Sequence, residues 1–344
     1  MKITRRRFLF CTLLSALLTH FDQAAAMSAA KGKFLVYVGT YTQEKSNSKG
    51  IYAYRFDATS GELTPLGLAA ESNNPSFVVV SRDRRFLYAV DEVGNFGGSK
   101  NSGAIRAFAI DRNTGKLTFL NEVASRGADP CYLSLDKKGK YVLTANYTGG
   151  SVAAFPILRD GRLRDSPWLV QHSGIGFNPE RQQGPHAHSI NVSPDNHYAI
   201  VTDLGLDQVR VYRFGARTGS LSPGDSRLLK VDPGAGPRHF TFHPKGKFAY
   251  VVNEMQSSVL ALRYDRPGSL HVLQKISMLP ADFKGRNDAA EVQVHPSGKF
   301  LYASNRGHDS IVAFRIDSET GRLSPTGQVV EAPTPVYVKF VALE

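Results

Sequence analysis

One unit of sequence recurs six times after residue 30, and a chain that repeats itself at such an interval has few folds open to it. The segments "FLVYVGT" (34–40), "FLYAVDE" (86–92), "YVLTANY" (141–147), "YAIVTDL" (198–204), "FAYVVNE" (248–254) and "FLYASNR" (300–306) begin 52, 55, 57, 50 and 52 residues apart. Each is followed by a second alternating apolar run, such as "GIYAYRFD" or "SIVAFRID", and then by a glycine turn, such as "NTGKL" or "ETGRL". Five copies are preceded by a further short strand that ends in a turn, as in "PCYLSLDKKGK" and "VQVHPSGK". Four short strands per unit with no helical periodicity between them predict an all-β fold, a β-propeller of four-stranded antiparallel blades with six repeats counted. The first copy lacks its inner strand. Residues 333–343, "PTPVYVKFVAL", supply a spare one, so the C-terminal strand is expected to close the ring and remove an open sheet edge.

Residues 1–30 stand outside the repeat. A cationic start, a short apolar run "LFCTLLSALL" and small residues in "QAAAMSAA" read as an export signal, too short to span a bilayer. Thr4-Arg5-Arg6-Arg7-Phe8-Leu9 fits the twin-arginine pattern, an address read by a receptor on folded cargo. The expectation is a signal over 1–30, one propeller domain over 31–344, and a periplasmic or secreted location without stable membrane association once the signal is cleaved. Of two cysteines, Cys11 lies in the signal, so the mature chain keeps Cys131 alone and forms no internal disulfide. Loss of Lys2, Arg5, Arg6, Arg7 and Asp22 takes the formal charge from +12 to about +9. That basic balance suits an anionic small molecule. Nucleic acid is excluded as a partner, because Lys and Arg are scattered rather than clustered with aromatic residues.

In a propeller the first strand of each blade lines the central channel and the second runs back beside it. The start of the first and the end of the second therefore share one mouth. At the starts stand His186 and His188 in "GPHAHS", Arg238 and His239 in "GPRHF", and Glu291 in "DAAEVQV"; at the ends stand Asn146, Asp203, Asn253, Glu254, Asn305 and Arg306. Asp or Asn recurs at one register (Asp91, Asn146, Asp203, Asn253, Asn305) and reads as a cap on the following turn. His186, His188, Arg238, Glu254, Glu291 and Arg306 depart from the repeat instead. A charged departure facing a channel is kept only where water or a ligand satisfies it, because burying it unpaired costs several kcal/mol. His243 and His295 belong to the turns "HPKG" and "HPSG" and read as structural, while His172, His197, His271 and His308 carry no signal.

The repeat, "GPHAHS", "GPRHF", "DAAEVQVHPSGKFLYASNRGHDSI" and "PTPVYVKFV" together resemble the β-propeller 6-phosphogluconolactonase (lactonase) family, which distantly resembles fungal carboxymuconate cyclase. The resemblance implies His186, Arg238 and Glu254 as catalytic residues, with Arg306 a weaker match. His188, His239, Glu291, Arg306 and Asn146 are the expected substrate contacts. That family is seven-bladed, whereas six units are countable here. Either the ring closes with six blades, or one repeat has been lost near residue 311.

The expected activity is hydrolysis of a sugar (aldono)lactone or related small lactone, neutral or anionic, by a monomer without a cofactor. A histidine would activate water and Arg238 would hold the oxyanion. Without a G-x-S-x-G elbow a serine nucleophile is not expected. Two rivals stay open at this point: a divalent metal held by the His-x-His pair and nearby carboxylates, and a non-catalytic exported propeller that binds a small molecule or an envelope partner.

Overall fold

A computed structural model describes residues 33–43, 46–57, 60–265 and 267–336. Six antiparallel blade sheets follow one another along the chain, with a two-stranded hairpin, Asn95–Phe96 and Ser99–Lys100, inserted in the second. The first has three strands, Lys33–Val38, Gly50–Asp57 and Leu63–Glu71. The other five have four strands each, beginning with the inner strands Val78–Val80, Pro130–Leu135, Ala187–Val192, Pro237–Phe242 and Asp288–Val294. The sole helical turn among the described residues is Leu204–Leu206. The all-β propeller expected from the repeat is therefore the fold, with six described blades. The closing strand expected at 333–343 falls mainly outside the described residues, as does the signal expected over 1–30.

The blades cohere through the alternation of their strands. Side chains from one face of each sheet meet the next sheet, giving five buried apolar clusters, one for each successive pair of blades. The turns between third and fourth strands lock these junctions. Gly161 has φ +88°, a conformation that L side chains avoid, and a Cβ there would lie 2.2 Å from the Phe86 ring of the preceding blade. Tyr88 of that blade donates a hydrogen bond to the Gly161 carbonyl at 3.1 Å. Tyr250 and Gly321 repeat the arrangement between the fifth and sixth blades, at 3.0 Å.

One irregularity positions the site. In the third to sixth blades the pairing of inner and second strands slips at the same place, between Pro130 and Tyr132, Ala187 and Ser189, Pro237 and Phe240, and Ala289 and Val292. The last regular partners before each slip are Asn146, Asp203, Asn253 and Asn305, the recurrent polar register of the sequence. A bulge re-aims the side chains it contains and often stands beside a functional site. Here it turns Cys131, His188, Arg238 and His239 toward the mouth of the channel.

The recurrent asparagines act as the sequence suggests. Nδ2 of Asn146, Asn253 and Asn305 donates across the turn to Oγ of Ser151, Ser258 and Ser310, at 3.0, 3.1 and 3.2 Å. His243 is structural too, its Nε2 3.0 Å from the Gly298 carbonyl in the next blade.

Candidate active site

At the channel mouth is a cavity of about 210 Å³. Two registers of the repeat build most of its wall. The bulge register contributes Cys131, His188 and Arg238, with His239 next in sequence; Ser76 occupies the matching place in "NNPSFVVV". The residue after four of the five recurrent Asp or Asn positions contributes as well, giving Glu92, Tyr147, Glu254 and Arg306. Tyr41, Phe77, Arg181 and Val336 complete the wall.

Glu254 is the electrostatic centre. Arg181 Nη2 donates to its Oε1 at 2.6 Å, Arg306 Nη2 donates to its Oε2 at 2.8 Å, and Arg238 Nε lies 3.0 Å from the same Oε2. Burial alone would raise the pKa of this carboxyl. The charge of Arg238, that of His188 once acid has protonated it, the charge of Arg306 and the Arg181 hydrogen bond outweigh burial and lower it to about 2. Asp288 shares Arg181 at 3.6 Å. Three guanidiniums thus face two carboxylates, and the positive surplus, with Arg238 and Glu254 nearly buried and Arg181, Arg306 and Asp288 partly exposed, is set to act on an oxyanion. Arg238 is also fixed by its Nη1, which donates to the Ala290 carbonyl at 2.8 Å.

His188 and His239 are both buried beside this charge. Desolvation, then the proximity of Arg238, holds each imidazole well below its ordinary pKa, so both are neutral at pH 7. His188 Nδ1 lies 3.6 Å from Cys131 Sγ, and its ring meets Tyr147 and His239 edge-on. His239 Nδ1 lies 3.3 Å from Glu291 Oε2. Burial likewise raises the Cys131 thiol, which remains protonated.

The structure brings His188, His239, Arg238, Glu254 and Arg306 together at this cavity and places three other expected site residues elsewhere. His186 is outside the lining. Its ring stacks on Tyr147 with centroids 4.4 Å apart, its Nδ1 lies 3.0 Å from the Tyr147 carbonyl, and Asp203 Oδ1 accepts its backbone N–H at 2.8 Å. The bulge at residue 188 is the reason, since it breaks the alternation that would place two histidines two apart on one face. Asn146 belongs to the turn-capping set and also donates to the Ser125 carbonyl at 3.2 Å. Glu291 stands behind His239, its Oε1 accepting the Val292 N–H at 2.8 Å. Among the described residues no group of three or more His, Cys, Asp and Glu side chains is placed to hold a metal ion.

Two charged wall residues, Arg181 and Glu92, were not singled out from the sequence. Arg181 comes from the long connection between Trp168–Gln171 and Ala187–Val192, where the repeat makes no forecast. Glu92 follows Asp91 as Glu254 follows Asn253, and that shared register is the signal that would have found it. Its Oε2 accepts from Tyr41 OH at 3.0 Å and from Ser76 Oγ, and burial raises its pKa. His172, which carried no signal, is buried against Asp203 Oδ2 at 2.5 Å and Tyr212 OH at 2.9 Å and ties the end of the third blade to the fourth.

The family model described as "Lactonase, 7-bladed beta-propeller" matches residues 35–339. The chain belongs to the lactonase β-propeller family. This lactonase is 38 % identical over 293 residues to the 6-phosphogluconolactonase of Bacillus subtilis, covering 85 % of this chain and 80 % of that one. The crystal structure of a protein from Lactobacillus plantarum superposes with a TM-score of 0.78 at 35 % identity, covering 87 % of this chain and 83 % of that one. The periplasmic gluconolactonase of Pseudomonas aeruginosa superposes with a TM-score of 0.77 at 30 % identity, covering 91 % and 100 %. The lactonase is thus a carboxylic-ester hydrolase, 6-phosphogluconolactonase-like, acting on a small-molecule lactone. The family description has seven blades and the described residues form six.

Proposed function

We propose that this lactonase is exported and opens the ring of a free aldonolactone or a related sugar lactone at the channel mouth. The observation that carries the reading is the triple-arginine grip on Glu254 beside a neutral His188. A cavity of about 210 Å³ lies below the roughly 300–1,000 Å³ of sites for drug-sized ligands and suits a single ring. Export rests on the twin-arginine pattern Thr4–Leu9 and is supported by a structural relative named as periplasmic. Outside the cytoplasm a phosphorylated sugar lactone is not an expected metabolite, which favours the unphosphorylated ring.

In this mechanism the lactone carbonyl oxygen points at Arg238. The guanidinium is held in place by Glu254 and the Ala290 carbonyl before substrate arrives, and such preorganised donors contribute about 3 kcal/mol to an oxyanion. His188, neutral at working pH, accepts a proton from the attacking water. Glu254 keeps its charge throughout and serves as the counter-ion that orients Arg238 and Arg306. Arg181, half open to solvent at the rim, meets an anionic or hydroxyl-rich edge of the substrate.

The experiment is direct. Mature protein is assayed by acid release against glucono- and galactonolactones, with Arg238→Ala as control. Enzymatic hydrolysis above the spontaneous rate that is lost in the variant without a fall in melting temperature supports the reading. Absence of hydrolysis across the panel refutes it and favours a ligand-binding propeller. Cell fractionation of the wild type and Arg5→Lys/Arg6→Lys tests export, with cytoplasmic retention expected for the double variant.

A further inference from the structure

Ring opening needs two proton transfers, one from the attacking water and one to the departing ring oxygen. The residues assigned so far cover only the first. Glu254 cannot supply the second, because three arginines hold it as a carboxylate. The cavity contains a second carboxyl in a different setting. Glu92 occupies the register of Glu254 in the second blade, and no arginine is within ion-pair distance of it among the described residues. Its neighbours there are hydroxyls, Tyr41 OH at 3.0 Å and Ser76 Oγ, both bound to Oε2. Hydroxyls donate and accept alike, so they accommodate Glu92 with or without its proton. Among the described residues Oε1 has no hydrogen-bond partner.

We propose, building on the lactonase reading above, that Glu92 is the proton donor to the leaving ring oxygen.

The balance is as follows. Water attacks the carbonyl carbon, a C–O bond forms, and its proton passes to His188. The tetrahedral oxyanion collapses, the bond from the acyl carbon to the ring oxygen breaks, and the alkoxide takes the Glu92 proton. Proton return from His188 to the Glu92 carboxylate through solvent restores both groups, and the product acid ionises to water. No oxidant or other co-reactant is required.

The electrical setting agrees. Burial raises Glu92, and Asp129 adds to the effect, against lowering by the Ser76 and Tyr41 hydrogen bonds and by the charge of Arg238. Cys131, the other titratable group against it, is a neutral thiol. Two carboxyls in one cavity are thus driven apart, one fixed as an anion and one able to hold a proton, the pattern that separates acid from charge-stabilising roles.

The test compares wild type, Glu92→Gln and Glu92→Asp on an aliphatic aldonolactone and on an aryl lactone, whose phenolic leaving group, near pKa 10 like tyrosine, departs with little help. With the aldonolactone, kcat of Glu92→Gln is expected to fall roughly 10²-fold or more and to lose the alkaline limb of its pH profile, with Glu92→Asp recovering part of the rate. With the aryl lactone the loss is expected to stay under about tenfold. Equal losses on both substrates, or an unchanged alkaline limb, would assign Glu92 a structural role and overturn the proposal. If the aryl lactone is not turned over, the pH profile and the Glu92→Asp rate decide. A wild type inactive on every lactone would defeat the underlying lactonase reading, a separate outcome.

Discussion

Arg238 Nε and Glu254 Oε2 lie 3.0 Å apart across the mouth of a single blade, one at the start of its inner strand and the other just past the end of the strand beside it. Neither position is regular β-structure in its environment: the arginine sits in the bulge and the glutamate in the turn. The repeat therefore supplies the frame for the pair without specifying its chemistry.

Removing the carboxylate charge leaves three guanidiniums facing one another with only Asp288 to offset them. Glu254→Gln is expected to lower stability by about 3–5 kcal/mol, as for other broken buried pairs, and to reduce kcat/KM at least 100-fold. Wild-type stability should also depend on acid in a defined window. The folded pKa of Glu254 lies below its usual value of 4.5, so its contribution is full above pH 4.5 and is lost as pH falls toward about 2. Urea melts of wild type and variant across that range check both statements, the variant showing the shallower acid slope.

The two histidines are expected to separate cleanly. His188→Ala should abolish hydrolysis, whereas His186→Ala, which removes only a ring stacked behind Tyr147, should keep activity within about tenfold. Because burial and Arg238 hold His188 below 6.5, protonation should not limit the wild-type rate at pH 6.5 or above. A kcat/KM profile from pH 4 to 8 tests this, an acid limb centred at or above 6.5 being the contrary result.

Arg181 is a rim residue, its side chain 32 % exposed. Arg181→Ala should raise KM for a lactone bearing a carboxylate about tenfold or more, and raise it much less for a neutral lactone, with kcat changed little. Steady-state kinetics on the two substrates measure the difference.

The blade junctions carry their own prediction. Gly161→Ala combines a disfavoured backbone conformation with a Cβ pressed on Phe86, and should cost about 2–4 kcal/mol. Tyr88→Phe, losing one hydrogen bond to the same turn, should cost about 1 kcal/mol. Thermal melts of both variants give the comparison, and activity per folded molecule should be unchanged because the turn is far from the mouth.

How much of this was legible in the sequence follows from periodicity. The blades were, because glycine turns and alternating strands recur almost copy by copy. Arg238, Glu254, His188 and Arg306 were visible as departures from a register already established. His186, which the family resemblance implies as catalytic, lies outside the cavity lining where the chain bulges at residue 188, and a bulge leaves no mark in a single copy. Asn146 was counted as a contact, although its own recurrence marked it as a turn cap. Glu92 is legible only by reading one residue past the recurrent Asp91, where its register matches that of Glu254 after Asn253. Arg181 lies in a connection with no counterpart in the other blades, so no comparison within the chain can reveal it.

The bulge shared by the inner strands separates two design problems that most enzymes must solve together. Side chains there project into the mouth while the hydrogen-bonded ladder resumes beyond them, so the residue at this register differs from blade to blade while the strands keep one pairing. Ser76, Cys131, His188 and Arg238 already display four chemistries on one backbone geometry. Substrate preference in such a ring is set like the pins of a lock, each raised or lowered on its own, with the barrel left intact.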